Sequence, residues 1–393
     1  MERHYILFDT PERDLLYPFT HTRPVAACRV GILTIQEKWE HWLGTGVSHY
    51  TVPHLQEKFP LRRGEDTTVN VLISGHILPD AELVAAIMAL RPEEELYKDN
   101  HLVAKVAQGK EVHLLPAASR KSYTGPVTGI FRPWDIFLQN DRAIREDFVM
   151  LTKGRTSAPL PEGIQVSNPE QVFLEPGAQV YSSILNAATG PIYIGRNALV
   201  MEGSMVRGPL AMGEGAVLKM GAKVYGATTL GPYCIGGGEI KNSVFFGYSN
   251  KSHDGYVGDA VIGEWCNLGG NTTCSNVKNN AGVVKVWMES KQSAEPAGQK
   301  CGVMMGDYSR CAINTMMNTG TVVGVSCNIF GAGFPPVFLP SFTWGHQVGT
   351  AAYRLPEALR DAAAWMGFKG RQLEDADRRI LEAVFRETNT QRP

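Results

Sequence analysis

The chain has 393 residues, of which 44% are hydrophobic and 20% charged, and its formal net charge is −1. This composition is typical of a globular protein with two or three domains, and it excludes the basic surface of a nucleic-acid-binding protein. No apolar run reaches the roughly 18 residues of a membrane span, and the start MERHYILFDT lacks the features of a signal peptide, so we expect a cytoplasmic protein with neither nucleic acid nor membrane as a partner.

Residues 1–152 alternate short apolar runs with helical patterns. The predicted strands are residues 4–9, 69–74 and 101–106, and the predicted helices are residues 32–43, 80–90 and 133–151. Asp80 stands where it would cap the second of these helices. Because alternating strands and helices are typical of Rossmann-like α/β domains, we predict such a domain over 1–152, followed by a linker over 153–169.

After the linker, apolar residues precede glycine at a fixed interval. The pairs are Ile194-Gly195, Met212-Gly213 and Leu230-Gly231, then Met305-Gly306 and Val323-Gly324. Within each group, successive pairs are separated by the length of three hexapeptides. A hexapeptide repeat is the signature of a parallel β-helix with three short faces per coil, in which the apolar residue points inward. We therefore predict a left-handed parallel β-helix over 170–335.

Two stretches depart from this repeat, one from Cys234 to Tyr256 and one from Val277 to Cys301. Insertions in solenoids form loops on one face, which is often the binding face, so we predict a loop at each stretch. Residues 336–393 are predicted to be a C-terminal extension with helices over 355–388. We expect this extension to cover the end of the β-helix, where a strand edge would otherwise be exposed.

A cluster of polar residues lies within and after the first of these stretches. Its members are Glu239, Lys241, His253, Tyr256, Asn267 and Asn276. His253 is a candidate general base near neutral pH, and Lys241 is a cation suited to a phosphate group. The tyrosine hydroxyl and the two amides offer the neutral hydrogen bonds that sugars require. Glu239 is a candidate to orient His253 or a substrate amine.

The spacing of this cluster resembles a known family. A Glu-x-Lys precedes a histidine by twelve residues, a tyrosine follows three residues later, and asparagines follow eleven and then nine residues after that. The sequence GDAVIGEWCNLGGNT at 258–272 adds a second motif. Residues 170–335 thereby resemble the acetyltransferase domain of the bacterial bifunctional N-acetylglucosamine-1-phosphate uridylyltransferase/glucosamine-1-phosphate N-acetyltransferase family.

The resemblance implies a role for each residue. His253 would be the catalytic base, assisted by Glu239. The implied ligands of an amino-sugar 1-phosphate are Lys219, Lys241, Tyr256, Asn267 and Asn276, where Lys219 replaces the family's arginine. The implied contacts of the co-substrate acetyl-CoA are Gly270 at the thioester, Asn314 in place of a serine, and Ala332 at the pantetheine arm.

The front half resembles sugar-1-phosphate nucleotidyltransferases more distantly. The segment RDLLYPFTHTRP at 13–24 is similar to the later part of their signature, while FDTPERD stands where their glycine-rich loop would lie. The implied nucleotide ligands are Arg13, Arg23 and Arg29, and the nucleotide would be UTP or dTTP. The expected metal-binding Asp falls at His76, so Asp80 is the remaining candidate to bind Mg²⁺.

Three functions follow from these patterns. The leading hypothesis is an acetyl-CoA-dependent N-acetyltransferase acting on an amino-sugar 1-phosphate in nucleotide-sugar synthesis, with nucleotidyl transfer as a second activity left open. The first alternative is a sugar-1-phosphate nucleotidyltransferase whose β-helix is a trimer scaffold or a regulatory module. The second is a non-catalytic protein that binds sugar nucleotides. The resemblance also implies a homotrimer.

Overall fold

The computed structural model of the chain describes residues 3–62, 67–109, 112, 119–347 and 350–392. The chain forms two compact units. The first consists of Met1–Leu16, Thr22–Cys28 and Leu33–Phe131, and the second consists of Tyr17–His21, Arg29–Ile32 and Arg132–Pro393. Two short segments from the front of the chain therefore group with the second unit.

The first unit is built on a mixed β-sheet. Its strands are β1 (Arg3–Phe8), β2 (Ser48–Tyr50), β3 (Val69–Ser74), β4 (Glu94–Lys98), β5 (His101–Gln108) and β6 (Ser119–Ser122). The order is β2-β1-β3-β5-β4-β6, with β1 parallel to β2 and β3, and β5 antiparallel to β3 and β4. The strands predicted from apolar runs are confirmed as β1, β3 and β5. Strands β2, β4 and β6 were not predicted, because β2 is only three residues long and the charged residues of β4 and β6 do not alternate with apolar ones.

The helices of the chain begin and end close to the positions predicted from sequence. They are α1 (Ile35–Leu43), α2 (Ala81–Met88), α3 (Asp135–Leu138), α4 (Asn140–Thr152), α5 (Leu355–Gly367) and α6 (Asp375–Glu387). Short 3₁₀ turns occupy Pro11–Leu16, Phe19–His21, Val25–Ala27, Pro53–Leu55, Pro169–Gln171, Glu289–Lys291 and Asn389–Gln391. Thr34 and Glu37 form a capping box at the start of α1, and Asp80 caps α2 as predicted.

The second unit contains a parallel β-helix with three faces. Face 1 consists of Gln165–Ser167, Ile184–Asn186, Met205–Arg207, Lys223–Tyr225, Glu239–Lys241, Tyr256–Gly258, Thr273–Cys274 and Met316–Met317. Face 2 consists of Val172–Leu174, Ile192–Ile194, Leu210–Met212, Thr228–Leu230, Val244–Gly247, Val261–Glu264, Met304–Met305, Val322–Val323 and Phe338–Leu339. Face 3 consists of Gln179–Val180, Leu199–Val200, Val217–Leu218, Ile235–Gly236, Asn250–Lys251, Asn267–Leu268, Arg310–Cys311, Asn328–Ile329 and Thr343–Trp344, and Ala351–Ala352 pairs antiparallel with the last of these strands. The predicted β-helix fold is thus confirmed, but its strands begin at Gln165, within the predicted linker, and continue to Trp344, past the predicted end at residue 335.

The repeating apolar residues stack inside this β-helix as the hexapeptide pattern predicts. Ile194 pairs with Met212, and Met212 pairs with Leu230, so residues three hexapeptides apart lie one coil apart. All three side chains are fully buried. Burial of such stacked side chains, at about 25 cal/mol per Å² of apolar surface, is the main source of stability for the coils.

The predicted loop from Cys234 to Tyr256 is wrong. Strands of all three faces continue through it, and Leu230 pairs with Phe245, which follows at an interval shorter than three hexapeptides. This coil is shortened at its corners, so the fixed interval is lost although no segment leaves the solenoid. The predicted loop at the second stretch is confirmed, because Val284–Met288 and Ser293–Gly298 form an antiparallel hairpin between successive coils.

Helices pack along the flanks of the β-helix. The buried side chain of Asn140, in α4, donates to the carbonyl oxygen of Ala227 at 2.8 Å. In the C-terminal extension, the Arg371 guanidinium lies 5.6 Å from the centre of the Tyr233 ring, and Phe385 of α6 packs against Phe342 of the last coils. The extension therefore covers several coils, and not only the end that the sequence suggested.

Among the described residues, no helix combines the length and the apolar composition needed to cross a membrane.

Candidate functional site

Polar side chains are brought together on face 1 by the register of its strands. Glu239 pairs with Tyr256 on the next coil, and Lys241 pairs with Tyr225 on the preceding coil. The hydroxyl of Tyr225 donates to Oε1 of Glu239 at 2.6 Å. This hydrogen bond, together with desolvation, raises the pKa of Tyr225 to about 12, so its hydroxyl remains a donor at neutral pH. Three predicted residues, Glu239, Lys241 and Tyr256, thus share one surface.

A buried carboxylate anchors the neighbouring corner of the same face. Asp259 is 4% exposed and accepts a hydrogen bond from the Asn242 amide at 2.7 Å. The other oxygen of Asp259 accepts from the amide nitrogen of Asn276, a predicted sugar ligand. Burial, with smaller contributions from Asp259 and nearby acidic groups, raises the pKa of Tyr256 above its usual range. Asp259 therefore fixes the orientation of Asn276 beside Tyr256.

The catalytic base predicted from sequence lies in a pocket where face 3 turns into face 1. This corner pocket has a volume of about 410 Å³ and is lined by Lys219, Met220, Gly238, Ser252, His253, Asp254, Gly270 and Asn271. A methyl group placed on Gly270 would lie 3.7 Å from Cβ and 3.8 Å from Cδ2 of His253. The imidazole therefore lies over the backbone of Gly270, and both residues share the pocket with Lys219.

The predicted acetyl-CoA residues lie along the same corner in later coils. The backbone nitrogen of Asn314 donates to the carbonyl oxygen of Gly270 at 2.7 Å, so the two residues occupy adjacent coils. Ala332 is exposed in the turn that follows face 3, and its carbonyl oxygen accepts a hydrogen bond from Gln347. Gly270, Asn314 and Ala332 thus follow the corner, as an extended co-substrate would require.

Asn267 is separated from the other predicted sugar ligands. It lies on face 3, where it pairs with Asn250 and with Arg310, whereas Tyr256 lies on face 1. Glu239 also lies on face 1 and accepts from Tyr225, while His253 lies in the corner pocket. The sequence cannot reveal this division, because it does not fix which of the three faces each residue joins.

In the first unit, histidines gather near the carboxyl ends of β1 and β3. His76 is fully buried, its Nδ1 bonds the Ile130 carbonyl at 2.9 Å, and its Nε2 lies 3.3 Å from Thr10 Oγ1. Burial lowers the pKa of His76 to about 4. A nearby cavity of about 470 Å³ is lined by Glu12, Lys98, Asp99, Asn100, His101, Val127 and Phe131.

The three arginines predicted to bind a nucleotide are buried, and Arg13 and Arg29 bond to protein groups. In the first unit, Arg13 forms ion pairs with Asp9 at 3.5 Å and with Asp14 at 3.0 Å, and Arg23 is 5% exposed. In the second unit, Nε of Arg29 donates to the Phe246 carbonyl at 3.0 Å.

The predicted magnesium ligand is also engaged within the protein, since Asp80 accepts from the backbone nitrogen of Leu83 at 2.9 Å. His76, at the expected metal position, is a neutral nitrogen donor, which is a poor match for Mg²⁺. Within residues 3–62, 67–109 and the other described ranges, no group of three or more His, Cys, Asp and Glu side chains is placed to hold a metal ion. These residues do not form a magnesium site in the arrangement that the structure shows.

Sequence reasoning missed three residues that shape the site: Tyr225, Lys251 and Asp259. Tyr225 lies one coil before Lys241 and belongs to no motif, but the coil-to-coil register would have revealed it. Asp259 lies within the GDA motif, which assigns it no role. The sequence does not indicate Lys251, because a lysine is usually exposed, but this lysine is 1% exposed and bonds the carbonyl oxygen of His253.

The front of the chain matches a known protein family. Residues 5–156 match the model of the family described as "Sugar nucleotidyl transferase". The chain therefore joins a sugar-nucleotidyl-transferase-like segment to a parallel β-helix.

Among characterised relatives, the chain is similar to the "Bifunctional protein GlmU" of Methanocaldococcus jannaschii, at 37% identity over 89 residues, or 23% of this chain and 21% of that protein. The protein of the same name from Methanococcus maripaludis strain C5 is 33% identical over 94 residues, which are 24% of this chain and 22% of that protein. The matches thus span about a fifth of the length of these relatives. The resemblance to the bifunctional family that the sequence indicates is confirmed.

Solved structures give only a distant likeness. The UDP-N-acetylglucosamine acyltransferase from Campylobacter jejuni shares 13% identity, with 57% of this chain and 95% of that chain covered and a TM-score of 0.25. The acetyltransferase domain of PglB from Neisseria gonorrhoeae FA1090 also shares 13% identity, with 87% and 97% covered and a TM-score of 0.17.

Proposed function

We propose that this protein is an acetyl-CoA-dependent N-acetyltransferase that acts on an amino-sugar 1-phosphate. The observation that carries the proposal is the corner pocket, in which the His253 imidazole lies over Gly270 beside the cation of Lys219. Acetylation of an amine on a phosphorylated sugar needs a base for the amine proton, a backbone amide for the developing oxyanion and a cation for the phosphate. The relatives named "Bifunctional protein GlmU" support the same reading.

In this mechanism the substrate amine attacks the carbonyl carbon of the thioester. His253 takes the proton that the nitrogen loses as the C–N bond forms, and the backbone amide at Gly270 stabilises the negative charge on the carbonyl oxygen. The C–S bond then breaks, and coenzyme A leaves as a thiol after protonation. The base and the oxyanion donor would each contribute roughly 10²–10³-fold to the rate.

The face 1 residues fit the other half of the substrate. Lys241 on face 1 and Lys219 in the corner pocket supply cations for the phosphate, and at position 219 the lysine lacks the two-pronged geometry of the expected arginine. Tyr256 and Asn276, which Asp259 holds in place, supply hydrogen bonds for the sugar hydroxyls.

Asn267 lies on another face than Tyr256. We propose that it reaches the substrate from a neighbouring copy in a homotrimer with composite sites, as the resemblance implies, and that the protein is cytoplasmic. A solution mass three times that of one chain would support this assembly, whereas a monomer mass in the active preparation would exclude it.

The activity is tested with purified protein, acetyl-CoA and glucosamine 1-phosphate, by following the release of free thiol. Glucose 1-phosphate is the matched control because it lacks the amine. We expect thiol release only with the amino sugar, and equal rates with both sugars would contradict the proposal.

Nucleotidyl transfer is the second candidate function, favoured by the match of residues 5–156 to sugar nucleotidyl transferases. Release of pyrophosphate from UTP or dTTP with a sugar 1-phosphate, dependent on Mg²⁺, would establish it. The β-helix would then be a scaffold or regulatory module if thiol release were absent. A protein that bound neither acetyl-CoA nor a nucleotide would fit the non-catalytic alternative.

A further inference from the structure

A lysine occupies an interior position of the β-helix. Lys251 is 1% exposed and lies in the column of face 3 that Leu218, Leu268 and Ile329 occupy in other coils. Its pairing partner one coil earlier is Gly236, which has no side chain. The amine of Lys251 therefore enters a core that is otherwise lined by apolar side chains at the corresponding positions.

The amine is bonded to the two turns that form the corner pocket. Nζ of Lys251 donates to the carbonyl oxygen of Gly237 at 3.0 Å and to that of His253 at 2.6 Å. These carbonyls belong to successive coils at the corner between face 3 and face 1, and Gly238 and His253 both line the pocket. The lysine thus ties the turn that carries His253 to the turn before it.

An interior lysine is an unfavourable choice for the fold alone. Burial lowers the pKa of Lys251 to about 8, which reflects the free-energy cost of placing a charged amine in the core. Leucine fills the same position one coil away without this cost. The amine retains at least two N–H donors in its charged and neutral forms, so both carbonyls stay bonded in either form. Departures from the local packing rule are expected mainly at functional sites.

We propose that Lys251 is a positioning residue, which holds the backbone of the His253 turn so that the imidazole stays over Gly270. This inference rests on the proposed acetyl transfer, in which small displacements of the base cost rate. It adds a residue from the interior column of face 3 to a site whose base, His253, is exposed.

The test compares Lys251→Met, which keeps the length of the side chain and removes the donors, with Leu218→Met in the same interior column. We expect Lys251→Met to lower kcat for thiol release by about 10-fold, with the KM for acetyl-CoA changed less than about threefold. Hydrogen exchange of the backbone amides of residues 252–256 should be faster in this variant. Leu218→Met should leave kcat and this exchange unchanged.

A folded Lys251→Met variant with normal kcat and normal exchange at residues 252–256 would overturn the proposal. Lys251→Gln is the second variant, since its shorter amide reaches at most one of the two carbonyls, and we expect its kcat to lie between those of the wild type and Lys251→Met. If neither variant folded, Lys251 would serve the fold as a whole and the proposal would fail.

The exchange measurement separates this inference from the proposed function. If the wild-type protein releases no thiol, the proposed function fails, and faster exchange in Lys251→Met would still show that Lys251 holds the His253 turn. If thiol release occurs and Lys251→Met changes neither readout, the function stands and only the positioning role is wrong.

Discussion

The corner pocket of the β-helix and the carboxyl edge of the sheet in the first unit both collect titratable side chains, but they hold them differently. His253 is exposed and lines a pocket with Lys219. Arg13 and His76 are buried, and their polar atoms bond carboxylates, a carbonyl and a hydroxyl of the protein. His253 and Lys219 are thus available for a ligand, whereas Arg13 and His76 stabilise the fold, and the ligand-accessible groups of the first unit are those that line its separate cavity.

This difference shows why the acetyltransferase resemblance of the β-helix supports a function more strongly than the nucleotidyltransferase resemblance of the front half. A motif residue supports a function only when its polar atoms can reach a substrate, and burial with internal partners removes that ability. Arg13 and His76 are therefore expected to affect stability, whereas His253 and Lys219 are expected to affect activity. Substitutions at each region should separate the two roles.

The largest expected effect is a loss of stability in Arg13→Ala. Its removal would take the ion pair from the buried Asp9, which keeps hydrogen bonds from Thr51 and from the backbone nitrogen of Val25, so we expect a loss of about 3 kcal/mol of unfolding free energy, the lower end for a broken buried pair. Arg142→Ala is the control, because its pair with Glu146 is exposed and is worth under about 1 kcal/mol. Denaturant unfolding measures both, and an Arg13→Ala protein as stable as the control would remove the distinction between the regions.

His253→Ala should show the opposite behaviour. We expect kcat for thiol release to fall by at least about 100-fold, or about 2.7 kcal/mol, because the base is lost, while stability and the KM for the sugar phosphate change little. His41→Ala is the control, since His41 is exposed on α1. Near-normal turnover in His253→Ala would exclude its role as base.

The buried histidine of the first unit predicts a pH dependence of stability. The pKa of His76 is about 4 in the folded protein and 6.5 in the unfolded chain. As the pH falls through this window the unfolded chain takes up a proton that the folded chain does not, so stability is full above about pH 6.5 and falls towards pH 4. Between pH 7.5 and pH 5, His76 should lower the free energy of unfolding by about 2 kcal/mol. In His76→Gln, the free energy of unfolding should depend less steeply on pH by this amount. An unchanged slope in the variant would show that His76 is not held neutral.

Gly270→Ala should lower kcat/KM for acetyl-CoA by about 10-fold, or about 1.4 kcal/mol. Its methyl group would meet the His253 side chain at ordinary contact distance, so the fold tolerates it, but it would occupy the space that the proposed mechanism assigns to the thioester. Gly367→Ala in α5 is the matched control, because nothing lies within 4 Å of the added group there. Equal kinetics in the two variants would place the thioester elsewhere.

The smallest effect is expected for Tyr225→Phe. Removing its hydrogen bond to Glu239 should raise the KM for the sugar phosphate by about fivefold, which is roughly the 1 kcal/mol of one hydrogen bond. Steady-state kinetics at saturating acetyl-CoA measure this change. If kcat fell and KM did not, Tyr225 would act in the chemical step.

The sequence predicts the repeating part of the fold better than its irregular parts. The apolar-Gly interval identifies the β-helix because Ile194, Met212 and Leu230 lie one coil apart. The interval fails between Leu230 and Phe245, where a coil is shorter than three hexapeptides and mimics a loop. Periodicity reports coils of equal length, and it cannot distinguish a short coil from an insertion.

The candidate site was predicted where its residues follow a motif. The relative spacing of Glu239, His253 and Tyr256 indicated a site, but which face each side chain joins depends on coil length. The sequence did not predict the interior position of Lys251, because that position depends on the pairing with neighbouring coils. The structure supplies the register between coils, which shows which residues lie next to each other on successive coils.

The most direct test of the account is to incubate the protein with acetyl-CoA labelled in its acetyl group and glucosamine 1-phosphate, and to examine the sugar by mass spectrometry. The account predicts labelled acetyl on the sugar nitrogen with the wild-type protein, and at least about 100-fold slower labelling with His253→Ala. Absence of label on the sugar, or equal labelling by both proteins, would contradict the claim that the corner pocket transfers an acetyl group.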